Sequence, residues 1–183
     1  MVYLPPMFSE TRPEVLIEHI ERYEFGLLVS HGAAGIVASQ IPFLVERRDG
    51  RLALLGHLAR ANPQLADLEA GGAVLAVFAG PHAYISPSWY AQGPAVPTWN
   101  YATVHAYGAA RTIADPAWLR VLLGRLSRRH EGREPGPAWR AEDLPEDYLA
   151  AMLGGIVGVE IAVERLEGKF KLSQNRPAAD SVG

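Results

Sequence analysis

Between Phe25 and Leu58 the apolar and β-branched residues fall into three short runs, Phe25 to His31, Ile36 to Val45 and Leu52 to Leu58. They are separated by His31-Gly32-Ala33-Ala34-Gly35 and by Arg48-Asp49-Gly50. Runs of this length bounded by glycine-bearing breaks, where positive φ carries no steric penalty, predict strands joined by tight turns. Val74 to Ala79 is continuously apolar and predicts a buried strand, with a separate one beginning over His82 to Ile85. From Asn100 to Ile113, Val104, Ala106 and Gly108 share one face and Thr103, His105 and Tyr107 the other, so this strand has a polar aromatic side. Val157, Val159, Ile161 and Val163 alternate along a last long strand, and Phe170 and Leu172 predict another after a turn at Leu166-Glu167-Gly168.

Helical spacing is confined to four short stretches. Thr11 with Glu14 forms a capping pair ahead of Val15, Leu16, Ile20 and Tyr23. Asn62 followed by Pro63 predicts the cap and first residue of a helix that ends near Gly71-Gly72. Asp115-Pro116 opens the longest one, with Trp118, Leu119, Leu122, Leu123 and Leu126 inward and Arg120, Arg128 and Arg129 in water. Asp143 with Glu146 opens the fourth, over Tyr148, Leu149 and Met152. Strands and helices do not alternate as βαβ units, which excludes a doubly wound sheet. The pattern predicts a mainly β fold, an antiparallel barrel-like sheet with short peripheral helices.

The 183 residues suit one domain, taken as 1–183, and 49% hydrophobic composition supplies a core without staples. The absence of cysteine removes thiolate metal sites, cysteine nucleophiles and disulfides, and fits a reducing cytosol. No basic leader and no membrane-length apolar run is present, so the expectation is a cytoplasmic protein with no membrane contact. A net charge of −3 argues against a globally cationic nucleic-acid binder. Locally, however, Arg120, Arg125, Arg128, Arg129 and Arg133 outnumber Glu131 and Glu134 and form a candidate DNA-contacting surface. The same arginines serve equally well as the wet face of a helix.

No GxGxxG, Walker, GxSxG or HExxH pattern is present, which disfavours the standard nucleotide folds, serine hydrolysis and a catalytic metal. Three groups remain as candidates. His57, Arg60 and Asn62 lie where a strand passes into a helix, a place suited to anions, though capping and packing account for the same residues. Lys169 and Lys171 alternate with Phe170 and Leu172 ahead of Ser173-Gln174-Asn175-Arg176; this is a phosphate-and-ring binding set or an edge strand guarded by lysine. Trp89, Tyr90, Trp99 and Tyr101 surround Asn100 and suit an aromatic ligand, barrel closure or a subunit interface.

Five segments carry a resemblance. They are Tyr3-Leu4-Pro5-Pro6 with Phe8, Gly56-His57 through Asn62-Pro63, Tyr84-Ile85-Ser86-Pro87-Ser88-Trp89-Tyr90, Val96-Pro97-Thr98-Trp99-Asn100-Tyr101 with His105-Ala106-Tyr107-Gly108, and Leu166-Glu167-Gly168-Lys169 through Arg176-Pro177. Over nearly its whole length the chain resembles the PaiB-like family of FMN-binding negative transcriptional regulators, a branch of the pyridoxamine-phosphate-oxidase-like split barrels. The resemblance implies an FMN-binding split barrel, a homodimer with flavin near the subunit interface, and repression of transcription. It places Arg60, Lys169 and Ser173 near phosphate or ribityl oxygens, and His57, Asn62, Asn100, Tyr101, Gln174 and Asn175 around the cofactor; no catalytic residue is named. Ala91-Gln92-Gly93-Pro94-Ala95 is shorter than is usual for the family and lacks its lysine-containing insertion. An FMN-dependent oxidoreductase acting on a small molecule is the alternative, and haem held by His57 or His105 is a lesser one.

Overall fold

The structure is a computed structural model that describes residues 1–33, 35–90, 94–132, 139–177 and 180. Eight strands make one antiparallel sheet: β1 (Ser9–Glu10), β2 (Phe25–Gly32), β3 (Gly35–Pro42), β4 (Leu44–Arg48), β5 (Arg51–Ala59), β6 (Ala73–Ile85), β7 (Thr98–Ile113) and β8 (Ile156–Lys171). Their order is β3-β2-β6-β7-β8-β5-β4, with β1 added beside the far end of β8. The outermost strands β3 and β4 are consecutive in the chain and separated by Phe43 alone. The sheet therefore curls until its two edges meet at one residue without forming a ladder there, the open barrel that the alternation predicts. Phe43 is fully buried at this corner, and its ring lies edge-on to Phe78 at 5.5 Å.

Helix α1 (Pro13–Arg22) packs Leu16 and Ile20 into the main core, and α2 (Gln64–Glu69) adds Leu65 and Leu68. Gln64, on α2, is fully buried; its Nε2 donates to the carbonyls of Leu28 and Val37 and to Ser30 Oγ, so it ties α2 to the β2–β3 hairpin. Helix α3 (Pro116–Glu131) lies outside the barrel, with Leu122 and Leu126 against Leu44 and Leu55, and α4 (Glu146–Gly154) packs Leu149 and Leu153 on Leu119. Asp115 caps α3 as expected, accepting from the Ala117 N–H at 2.9 Å. Among the described residues no helix is long and apolar enough to cross a membrane.

Several expectations need correction, each for a physical reason. The two strands anticipated at 74–79 and 82–85 are one strand, β6, with a bulge between Ala79 and His82 that accommodates Pro81 without breaking the ladder. There is no turn at Leu166-Glu167-Gly168 either, because β8 runs unbroken from Ile156 to Lys171. Opposite Tyr107 and Gly108 the register slips, leaving Glu164 as the extra residue on β8. Before this bulge the odd residues Val157, Val159 and Ile161 face the core; after it the even residues Leu166 and Phe170 do. A parity reset looks like a strand end when only the sequence is read. Ion pairs also claim residues expected in helix caps. Position Arg12, not Thr11, precedes α1, and Glu14 pairs with Arg47; Asp143 sits in a short 3₁₀ turn (Ala141–Asp143), and Glu146 pairs with Arg120.

Gly108 sits at the bulge, where a Cβ would lie 1.9 Å from the Ala162 carbonyl oxygen. Gly108→Ala should therefore destabilise the fold by about 2–4 kcal/mol, measured as a lower urea midpoint at unchanged m-value. His19, on α1, is buried with Nε2 3.1 Å from the Phe78 carbonyl, and burial holds its pKa below the ordinary histidine value. The unfolded chain then binds the proton more readily than the folded one. This contribution to stability is present above the unfolded value near pH 6.5 and is lost as pH falls through it. The urea midpoint should fall between pH 7 and pH 5, and His19→Phe should flatten part of that slope.

Candidate functional site

The outward face of β7 carries Tyr101, Thr103, His105 and Tyr107, opposite Lys171, Lys169, Glu167 and Arg165 of β8. This is the polar face expected from the alternation, continued onto the neighbouring strand. Lys169 is only 7% exposed, yet it enters no ion pair among the described residues. Its Nζ donates to the Tyr3 carbonyl at 2.8 Å and lies between the rings of Tyr3 and Tyr101, 5.1 and 5.4 Å from their centroids. The edge-guard explanation does not hold for it, since β8 is flanked here by β7 and β1. Lys171 likewise has neutral partners, donating to Thr98 Oγ1 and to the Trp99 carbonyl.

Beyond β8 the chain folds back onto the start of β7. Ser173, at φ 65°, shares a hydrogen bond with the Asn100 amide, with Nδ2 2.9 Å from Oγ. Gln174 is spent on local geometry: its Oε1 accepts from Leu172 N–H at 2.7 Å and its Nε2 donates to the Phe170 carbonyl. Asn175 is exposed, and the Arg176 guanidinium stacks 4.2 Å over the Tyr90 ring, whose hydroxyl is buried with no hydrogen-bond partner among the described residues. Trp89 and Trp99 are 53% and 54% exposed, so neither closes the barrel. Tyr84 meets Trp99 edge-on at 5.9 Å, and His82, Trp99, Tyr101 and Thr103 edge an open groove of about 400 Å³.

His57, Arg60 and Asn62 lie elsewhere. His57 pairs with Gly158 near the opposite end of β8 from Lys169, roughly 35 Å along the strand at ~3.3 Å per residue. Its Nδ1 is buried without a hydrogen-bond partner among the described residues, and burial keeps its pKa below the ordinary value. Arg60 clamps the α4–β8 junction, donating from Nε to the Gly154 carbonyl at 2.6 Å and from its terminal nitrogen to that of Ile156 at 3.0 Å. α2 begins one residue later than expected, with Pro63 at its N-cap; Asn62 Oδ1 still accepts from Gln64 N–H at 2.9 Å, while its Nδ2 donates to Ser39. A cleft of about 510 Å³ between α3 and Trp139 contains none of these residues.

The arginine surface on α3 is largely neutralised. Arg120 pairs with Glu146, Arg125 with Glu46 and Arg129 with Glu24, which leaves Arg128 as the α3 arginine without an ion pair among the described residues. Arg133 and the short connection at residues 91–93 lie outside the described residues. The sequence passed over Glu167 as a site component. Glu167 accepts from Tyr107 and Val2 and pairs with Arg165, contacts that only the bulged register brings together.

Residues 2–165 match the family model described as "Putative FMN-binding domain". The chain is 36% identical over 179 residues to "Protease synthase and sporulation protein PAI 2" of Bacillus subtilis, covering 98% of this chain and 85% of that protein. Among solved structures it is similar to the FAD and haem binding protein from Mycobacterium smegmatis, at TM-score 0.66 and 18% identity over 95% of this chain and 78% of that one. It is also similar to a protein of the pyridoxinephosphate oxidase family from Clostridium acetobutylicum, at TM-score 0.51 and 12% identity over 87% and 91% of the two chains. At those identities the structures speak for the fold, while the family model and the Bacillus relative speak for kinship. The chain belongs to the PaiB-like family of FMN-binding split-barrel proteins.

Proposed function

We propose that the protein is an FMN-binding negative transcriptional regulator that works as a homodimer. The observation that carries the FMN reading is Lys169, a nearly buried cation with neutral partners only, beside Lys171 and Arg176, which also enter no ion pair among the described residues. A buried cation is costly unless an anion or several hydrogen bonds compensate it, and a phosphate monoester supplies both. The donor set therefore fits the group. Lys169, Lys171 and Arg176 would hold phosphate or ribityl oxygens, Ser173, Asn100 and Asn175 would complete the polar contacts, and Tyr101 and Trp99 offer flat walls to a ring system. Gln174 acts by shaping the turn that presents them. Bound flavin supplies electron chemistry of its own; the chain's part is to bind, orient and shield it.

The homodimer accounts for the second cluster. Two copies related by a two-fold axis can set the Lys169 end of one against the His57 and Arg60 end of the other, which gives the unpartnered His57 Nδ1 a ligand to meet. Regulation then requires that the flavin-loaded and flavin-free dimers differ in affinity for a partner.

Titration with FMN followed by flavin fluorescence should show saturable quenching, and Lys169→Met should weaken it about tenfold or more. His57→Ala should weaken it too. Re-annealing the two variants together should restore about a quarter of the sites, because only a mixed dimer carries one intact combination. Recovery of none would remove the shared-site dimer. For DNA, each dimer exposes two Arg128 side chains that enter no ion pair among the described residues, so the log–log salt slope contributed by these helices should stay at about −2. Steady NAD(P)H oxidation by the flavin-loaded protein would instead favour the oxidoreductase reading.

A further inference from the structure

His105, Tyr107, Glu167 and Arg165 form a continuous chain of contacts on the outward face of β7 and β8 that the reading above leaves unused. Tyr107 donates its hydroxyl proton to Glu167 Oε2 at 3.0 Å. Glu167 is ion-paired with Arg165 and also receives the Val2 N–H at 3.0 Å, so it acts as an acceptor on every side. The Arg165 guanidinium lies 3.9 Å over the Tyr107 ring and holds the phenol in place. A phenol has one proton, and this one is committed. His105 Nδ1, 3.3 Å from the same hydroxyl oxygen, must therefore be the donor in that contact. In the neutral imidazole the proton then sits on Nδ1, and Nε2 is left as an acceptor. It has no hydrogen-bond partner among the described residues and is not among the buried atoms sealed from solvent.

We propose that His105 is locked as the Nδ1–H tautomer by Tyr107 and Glu167, and that its Nε2 accepts a hydrogen bond from a ribityl hydroxyl of the bound flavin. This rests on the FMN reading. The geometry selects a hydroxyl for two reasons. Nε2 can only accept, so the ligand atom must carry a proton. Lys169 stands diagonal to His105 across the ladder and keeps donors beyond the one given to Tyr3, so the ligand atom must also be able to accept. An alcohol satisfies both neighbours at once, whereas a phosphate oxygen would satisfy Lys169 and leave Nε2 unmet. Tyr107 and Glu167 are positioning residues, since they act through the imidazole.

The tautomer is read without ligand by ¹⁵N NMR of the histidine rings, with His105 assigned by its loss in His105→Ala. The expected result is a protonated, pyrrole-type Nδ1 and an unprotonated, pyridine-type Nε2, and Tyr107→Phe should release the lock and shift the population toward Nε2–H. An Nε2–H ring in the unaltered protein overturns the inference before any flavin is added. Three flavins then test the contact: FMN, riboflavin, and lumiflavin, which carries a methyl group in place of the ribityl chain. His105→Ala should weaken FMN and riboflavin about five- to tenfold and leave lumiflavin unchanged. If the flavins bind the unaltered protein but the variant loses all three equally, or none, the inference fails and the FMN reading stands. If the unaltered protein binds no flavin, both fail.

Discussion

The long antiparallel ladder between β7 and β8 is the constraint on which the other parts depend. The two strands pair from Tyr101 and Lys171 to Ile113 and Gly158, and each forms its second edge with other strands, β6 on one side, β1 and β5 on the other. Because side chains alternate across a strand, this ladder sets two surfaces together. Val104, Ala106, Val159 and Ile161 supply the floor of the core, and the row from Tyr101 to Tyr107 with its β8 partners supplies the polar face. The bulge at Glu164 keeps both surfaces continuous. Without it the hydrophobic parity of Val157 to Ile161 would carry on past residue 164 and turn Lys169 toward the core.

Charge is distributed according to the same division. Elsewhere on the barrel several arginines are answered by carboxylates, Arg47 by Glu14, Arg48 and Arg125 by Glu46, Arg111 by Glu160 and Arg129 by Glu24, while Arg60 meets carbonyls. Pairs of this kind at a surface add little stability, but they neutralise the local field. At the Lys169 end the cations meet carbonyls, hydroxyls and aromatic rings. A protein whose net charge is −3 thus carries at this end of the sheet cations that have no carboxylate partner among the described residues.

Much of the architecture was legible in the sequence. Period-two alternation gave most strands, and positive φ at Gly35, Asp49 and Gly50 confirms the turns marked by His31 to Gly35 and Arg48 to Gly50. Misreadings gathered where a tertiary partner overrides a local rule. Glu14 and Glu146 look like capping acids because the sequence does not show Arg47 and Arg120. The bulges at Ala79/His82 and at Glu164 look like strand ends because one inserted residue inverts the alternation in the same way that a new strand would. For the site, residue type was informative, since carboxylate-free cations and exposed tryptophans stand where the pattern put them. The separation of His57 from Lys169 was not, because chain order says nothing about which end of a strand a neighbour occupies. Gln64 gave no sign of its burial, as a glutamine beside Asn62-Pro63 looks like any first-turn residue.

One consequence follows from β8 being a single strand. Between Ile156 and Lys171 it runs on without a break, paired with β7 along one edge and, on the other, with β5 over 156–162 and with β1 at 168–169, the bulge at Glu164 lying between those two stretches. At its start, Gly158 lies directly beneath Trp118 of α3, so close that a Cβ would fall 2.3 Å from the indole. Lys169 and the underside of α3 therefore share one backbone, with the bulge at Glu164 between them. The strand that carries the nearly buried Lys169 near one end thus also starts under the helix pair, which joins the polar face to the outer helices through one continuous element.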